Sequence, residues 1–235
     1  MLLTRISHQG VKRVLTLIVI SACCVSCDSE NEGNRVLIGN SNILYDLDQL
    51  QYQEQFVVQV SDPDGGPSPN TIVTLKLTPV SYNKGLYVPT DIDLPPDGTV
   101  DRWVPDLSAV CASEDTNDNG ALDAGEDTNN NGFLDPDVPT LTAHPEKTPT
   151  IAPGSNIVLT DDNGFGYFAI TYPKSEALWS SILVTAEASD GLAGNTATYN
   201  LDLRVLIKDI SDLTIDPPGG DSSPYGTAAN CADPG

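Results

Sequence analysis

The side chains best placed to do chemistry in this 235-residue sequence lie between Glu114 and Val138, EDTNDNGALDAGEDTNNNGFLDPDV. The stretch holds eight acidic residues and no Lys or Arg. It is also periodic: DTNDNGALDAGE from Asp115 to Glu126 is followed at once by DTNNNGFLDPDV from Asp127 to Val138. In the first copy Asp115, Asn117, Asn119, Asp123 and Glu126 stand at positions 1, 3, 5, 9 and 12, with Gly120 at position 6. Oxygens at alternate positions of a tight loop suit Ca²⁺, which takes six to eight oxygen ligands in adaptable geometry. Gly120 allows the sharp turn. Ala121 at position 7 needs only its backbone carbonyl, Leu122 is an apolar anchor that can bury against the domain, and Glu126 can bind with both oxygens.

The second copy departs from this pattern at its end. Asp127, Asn129, Asn131, Gly132 and Asp135 are in place, and Phe133 takes the backbone position, but Val138 holds position 12. Either Asp137 substitutes from position 11, or the site is weaker or shared with its neighbour. Asp127 follows Glu126 with no gap, which leaves no room for the exiting helix of a paired EF-hand. The run resembles the tandem calcium repeats of thrombospondin type 3 and dockerin modules more than calmodulin. The competing expectation is a solvated acidic linker.

Two elements must deliver and hold these loops. The first is export. Residues 1–22 carry Arg5, Lys12 and Arg13 ahead of the apolar run VLTLIVISA, too short to span a bilayer as a mature helix. Ile20-Ser21-Ala22-Cys23 resembles the lipobox of bacterial lipoproteins, which implies cleavage before Cys23 and its acylation. Cys27 is a second candidate, and an ordinary signal peptide is the alternative. A lipidated Cys23 would place the protein at the cell envelope, on the outer membrane or cell surface, without a transmembrane helix. Residues 23–42 are polar and Gly/Asn-rich and read as a flexible tether.

Without residues 1–22 the chain has 8 Lys+Arg against 33 Asp+Glu, a formal charge of −25. That field excludes nucleic acid as a partner and suits a protein that balances part of its charge with divalent cations. Cys111 and Cys231 are the only cysteines outside the N-terminal cluster. In an exported protein an isolated pair reads as a disulfide, here pinning the Pro/Gly-rich tail 212–235.

The second element is a β-framework over 43–211. Phe56, Val58 and Val60 alternate with polar neighbours, as do Val73, Leu75 and Leu77. Further strands are expected at Asn156–Thr160, Gly166–Tyr172, Ser181–Ala188 and Thr196–Ile207, separated by Gly/Asp/Asn/Pro turns. The fold class is therefore all-β, a sandwich. VVQVSDPDGGPSPNTIVTLKLTP resembles the opening hairpin of bacterial Ig-like domains of the invasin and intimin type, and LTDDNGFGYFAITYPKSEALWSSILVTAEA resembles their later strands. The resemblance covers about Gln53–Lys84 and Ile157–Leu203. It implies an Ig-like sandwich interrupted by a long, mostly irregular insertion, 85–153, that carries the calcium repeats. Tyr172 and Trp179 read as core plugs, and Trp103 lies within the insertion.

Catalysis is not expected. After export only His144 remains as a histidine, and neither a histidine-built zinc site nor a nucleophile elbow accompanies it. The expected function is a non-catalytic, calcium-rigidified structural or adhesive module at the cell surface, meeting other surface proteins or glycans. Two rivals stand beside it: a calcium-dependent carbohydrate-binding module, and a subunit of an envelope or surface assembly.

Overall fold

The computed structural model describes residues 33–189 and 195–234. The expected signal peptide, Cys23, Cys27 and most of the expected tether lie outside the described residues, as does the end of the expected turn Ser189–Gly191. Nine strands and no α-helix are present among the described residues. They are β1 (Arg35–Asp46), β2 (Gln51–Ser61), β3 (Ile72–Thr90), β4 (Arg102–Ala112), β5 (Thr140–Thr142), β6 (Ile157–Leu159), β7 (Phe165–Pro173), β8 (Ser180–Ala188) and β9 (Thr196–Asp202). Two antiparallel sheets result, one ordered β1-β2-β7-β5, the other β4-β3-β8-β9 with β6 on the free end of β3.

Alternation drives the packing. Phe56, Val58 and Val60 of β2 and Phe168, Ile170 and Tyr172 of β7 meet Val73 and Leu75 of β3 and Ile182, Val184 and Ala186 of β8 in one core. Phe56 lies opposite Phe168 in the register, and their rings stack at 5.2 Å. Each buried side chain of this size removes apolar surface worth about 1.5–3 kcal/mol. A second core at the end of the sandwich gathers Tyr82, Tyr87, Cys111, Trp179 and Tyr225. Tyr172 and Trp179 are indeed buried core residues.

Three expectations need correction. Arg35–Asn42 is not tether but part of β1, held to β2 from Arg35↔Ser61 to Asn40↔Phe56, with Val36 in the core. As an edge strand it buries little, so its composition reads as linker. The boundary of the insertion at residue 85 is displaced: the insertion is irregular over most of its length, but its start belongs to the sheet. β3 continues to Thr90 and β4 pairs with it from Ser81↔Ala112 to Thr90↔Arg102. Pro79 ends the legible pattern, yet the strand passes through because its register with β8 shifts there, between Pro79 and Ser81. A second shift at Lys84/Gly85 depends on glycine: Gly85 has φ 152°, and a Cβ would run into the Asp106 carbonyl oxygen. Finally, the last strand stops at Asp202, and Ile207–Asp209 forms a 3-10 turn.

One polar group holds the sandwich end. Glu54 is fully buried and takes two hydrogen bonds from Arg204, at 3.0 and 2.7 Å, with others from the Tyr172 hydroxyl and the Asn40 amide. Removing one partner of such a pair strands the rest. Glu54→Ala is therefore expected to lower stability by about 3 kcal/mol, read as the shift of the urea midpoint at constant slope.

Candidate metal centre

The connection from β4 to β5 carries both repeats, and each folds the same way. In the first, Asp115 accepts the N–H of Asn119 at 3.0 Å and of Gly120 at 2.9 Å. Asn117 Oδ1 accepts the Asn119 N–H, and Asn119 Oδ1 accepts the Ala121 N–H. The side-chain amides of Asn117 and Asn119 donate to one oxygen of Asp123, at 2.9 and 2.8 Å. In the second, Asp127 accepts from Asn131 and Gly132, both at 3.0 Å, Asn129 from Asn131, and Asn131 from Phe133. Asn129 and Asn131 donate to Asp135 at 2.8 and 2.9 Å. The backbones match too: φ is 57° and 59° at Asp118 and Asn130, and 73° and 82° at Gly120 and Gly132. Twelve residues apart, the sequence writes the same loop twice.

The closing residue of each loop is the informative difference. Glu126 Oε1 accepts from the Thr116 N–H at 3.0 Å and the Thr116 hydroxyl at 2.8 Å, and Oε2 accepts the Asp123 N–H at 3.0 Å. The equivalent place in the second loop is filled by Glu114. Its Oε1 accepts the N–H groups of Thr128 and Asn129, at 3.0 and 3.3 Å, and its Oε2 that of Asp135 at 3.1 Å. The Glu114 N–H also donates to the Asp135 carbonyl at 2.8 Å. Asp137 is exposed and takes no part in this pattern, and neither does Val138. The signal for Glu114 was in the sequence: each repeat is preceded by a glutamate, Glu114 before Asp115 and Glu126 before Asp127. Each Glu-Asp pair therefore gives its aspartate to the loop that follows and its glutamate to the other loop.

Electrostatics set this cluster apart from a surface linker. Glu114, Asp115, Glu126 and Asp135 are buried, as is Asn129. Among the described residues the one ion pair to the repeats comes from Lys76, which lies 3.5 Å from Asp118, a position-4 residue outside the oxygen set. Burial pushes the Glu114 carboxyl above its ordinary value, and the Asp135 charge adds to the effect. Asp123 is held below the usual carboxylate range by the amides of Asn117 and Asn119. The second loop sits over the aromatic end core: burial, with Glu114 and Asp135 nearby, raises Tyr82 to about 12. The donors are all oxygens, which fits a hard divalent cation. Leu122 does not bury as an anchor; it remains 39% exposed, and Phe133 69%.

The expected disulfide is present. Cys111, at the end of β4, is bonded to Cys231. The tail it holds is ordered along β3: Gly85 donates to Gly226, Tyr87 donates to Asp221, and Ser222 bridges Leu86. Tyr225 enters the end core, where its hydroxyl binds Glu176 and Ser180. Burial raises the Glu176 carboxyl above its ordinary value.

Other candidates for chemistry are occupied structurally. His144 Nδ1 accepts the N–H groups of Glu146 and Lys147 at 3.1 and 3.0 Å, and its ring packs against Tyr167. Asp91, Asp93 and Asp101, between β3 and β4, bring three carboxylates within 4.8 Å of one another. Asp91 there accepts from Asp93 and Gly98, and Asp101 from Ile92, as loop-closing bonds. Their irregular spacing gave no sequence signal. Comparison with family models, curated proteins and solved structures finds no match to this chain.

Proposed function

We propose that this protein is a non-catalytic surface module in which two calcium ions clamp an inserted loop pair onto an Ig-like sandwich. The observation that carries the reading is the pair of oxygen-lined loops with matching hydrogen bonds, whose buried carboxylates have no cationic partner among the described residues. Uncompensated buried carboxylates are costly, and a divalent cation removes that cost. The ligand set is Asp115, Asn117, Asn119, Ala121 through its carbonyl, Asp123 and Glu126 for one ion. For the other it is Asp127, Asn129, Asn131, Phe133 through its carbonyl, Asp135 and Glu114. The strand order supports the Ig-like reading. β1-β2-β7-β5 follows the A-B-E-D sheet, and β4-β3-β8-β9 follows C′-C-F-G, in the matching chain order. The calcium pair then occupies the C′–D connection. Anchoring through Cys23 at the envelope completes the reading and favours adhesion or structural support over catalysis.

The carbohydrate reading loses one of its supports, because Trp179 is fully buried and has no face for a sugar ring. The assembly reading keeps one: Ile72, Ile157 and Leu159 expose an apolar row across β3 and β6. Calorimetric titration of the chelated protein tests the calcium proposal. Two ions bind, and Glu114→Gln binds one. A protein that takes up no calcium overturns the proposal.

A further inference from the structure

In so acidic a chain the cationic side chains are the informative minority. Lys76 faces Asp118, Lys174 and Lys208 face Asp46, Arg204 faces Glu54, and Lys84 reaches the Asp233 carbonyl. Lys147 has no ion pair among the described residues, but it projects from an exposed loop. Arg102 is different. It is half-buried at the start of β4, makes no ion pair or side-chain hydrogen bond among the described residues, and has a buried Nε with no acceptor. Buried polar nitrogens are almost always satisfied, so an orphaned guanidinium nitrogen calls for a reason.

Arg102 lines an open recess of about 360 Å³ whose other walls are chiefly apolar: Trp103, Leu178, Val205, Ile207 and Ile210. The Trp103 indole N–H donates to the Ile215 carbonyl at 3.1 Å, which fixes the ring as one wall. Arg204 also borders the recess, but Glu54 already engages the Nε–Nη2 edge of its guanidinium and Asn42 Oδ1 its Nη1. The Arg102 Nε itself is enclosed, so a ligand in the recess meets the Nη groups. A guanidinium with no ion pair among the described residues, beside an apolar trough, is the composition of a site for an amphiphile with an acidic head.

We propose that this recess binds a small carboxylate with an apolar body of about ten carbons, the body against Trp103 and Ile207 and the carboxylate on Arg102. The volume matches on the order of ten to twelve groups at roughly 30 Å³ each. The negative charge of the chain opposes approach at long range, but over a screening length of about 8 Å at physiological salt the contact with Arg102 decides. The site lies at the opposite end of β4 from Cys111 and the calcium loops and does not depend on them.

The test is a titration of the calcium-loaded full chain with decanoate, decanol and decyltrimethylammonium, read by tryptophan fluorescence. Decanoate gives a saturable change that is lost in Trp103→Phe, since Trp179 is buried elsewhere. Decanol binds at least tenfold more weakly, and the ammonium probe does not bind. Arg102→Gln weakens decanoate at least tenfold and leaves decanol unchanged. Ile207→Asp, an exposed change that the fold tolerates, abolishes binding. No saturable signal, equal affinity for the three probes, or an Arg102→Gln variant that binds decanoate normally each overturns the proposal.

Discussion

Calcium raises the melting temperature of the chelated protein by on the order of 10 °C or more. At a free concentration a hundredfold above the dissociation constant, each site adds about 2.7 kcal/mol. For a domain of this size each kcal/mol shifts the midpoint by about 2–4 °C. The effect is large because the starting state is poor: eight acidic side chains between Glu114 and Val138 have one lysine ion pair among the described residues. Glu126→Gln and Glu114→Gln should each remove about half the gain, since each glutamate closes one loop. The gain also depends on pH, with a definite sign. Ion-free Glu114 is held above the ordinary carboxylate range by burial. It therefore takes up a proton, in competition with calcium, at a higher pH than an exposed glutamate. The difference between calcium and chelator scans narrows as pH falls through that raised value. Scanning calorimetry with and without chelator from neutral to mildly acidic pH measures all of this, and a midpoint that ignores calcium at neutral pH sinks the clamp.

Loss of the Cys111–Cys231 bond is the second large effect. The bond closes 120 residues, worth about 4–5 kcal/mol through the entropy of the unfolded chain. The folded state adds to this. Ser223 and Tyr225 of the tail are themselves buried, and Lys84, fully buried, is held through the Asp233 carbonyl. A Cys111→Ala/Cys231→Ala chain is expected to lose about this amount in urea unfolding. It should also cleave early in limited proteolysis within 212–235, a segment rich in proline and glycine that has no core of its own. Equal stability of the two proteins would mean the tail is held by its packing alone.

Much of the sandwich was legible because β-strands advertise themselves when one face is wet. β8, the first half of β3 and the Phe56–Val60 half of β2 alternate, and the inward residues of β2 and β3 could be named. β1 was missed because an edge strand with little burial needs no alternation, and Arg35–Asn42 has the composition of a linker. β4 and the far half of β3 were missed because Pro79 and Gly85 look like breaks. Two register shifts absorb them, and a register shift exists only between strands. The disulfide was readable from cysteine count alone.

The proposed calcium loops divide along the same line. Sequence spacing determined Asp115 to Glu126 and most of Asp127 to Asp135, because ligands within one loop are fixed by local backbone geometry. It could not assign the last ligand of the second loop. Read along the chain, that position is Val138, with Asp137 the nearest acid. In the folded molecule the carboxylate in the matching place is that of Glu114, 21 residues before Asp135 and hydrogen-bonded to it. The chain doubles back, so that Glu114, ahead of the first loop, closes the second. What the sequence determined by itself was the chemistry: oxygens, their number and their spacing. What only tertiary structure decided was ownership, because a ligand set belongs to a place in space and not to a run of residues.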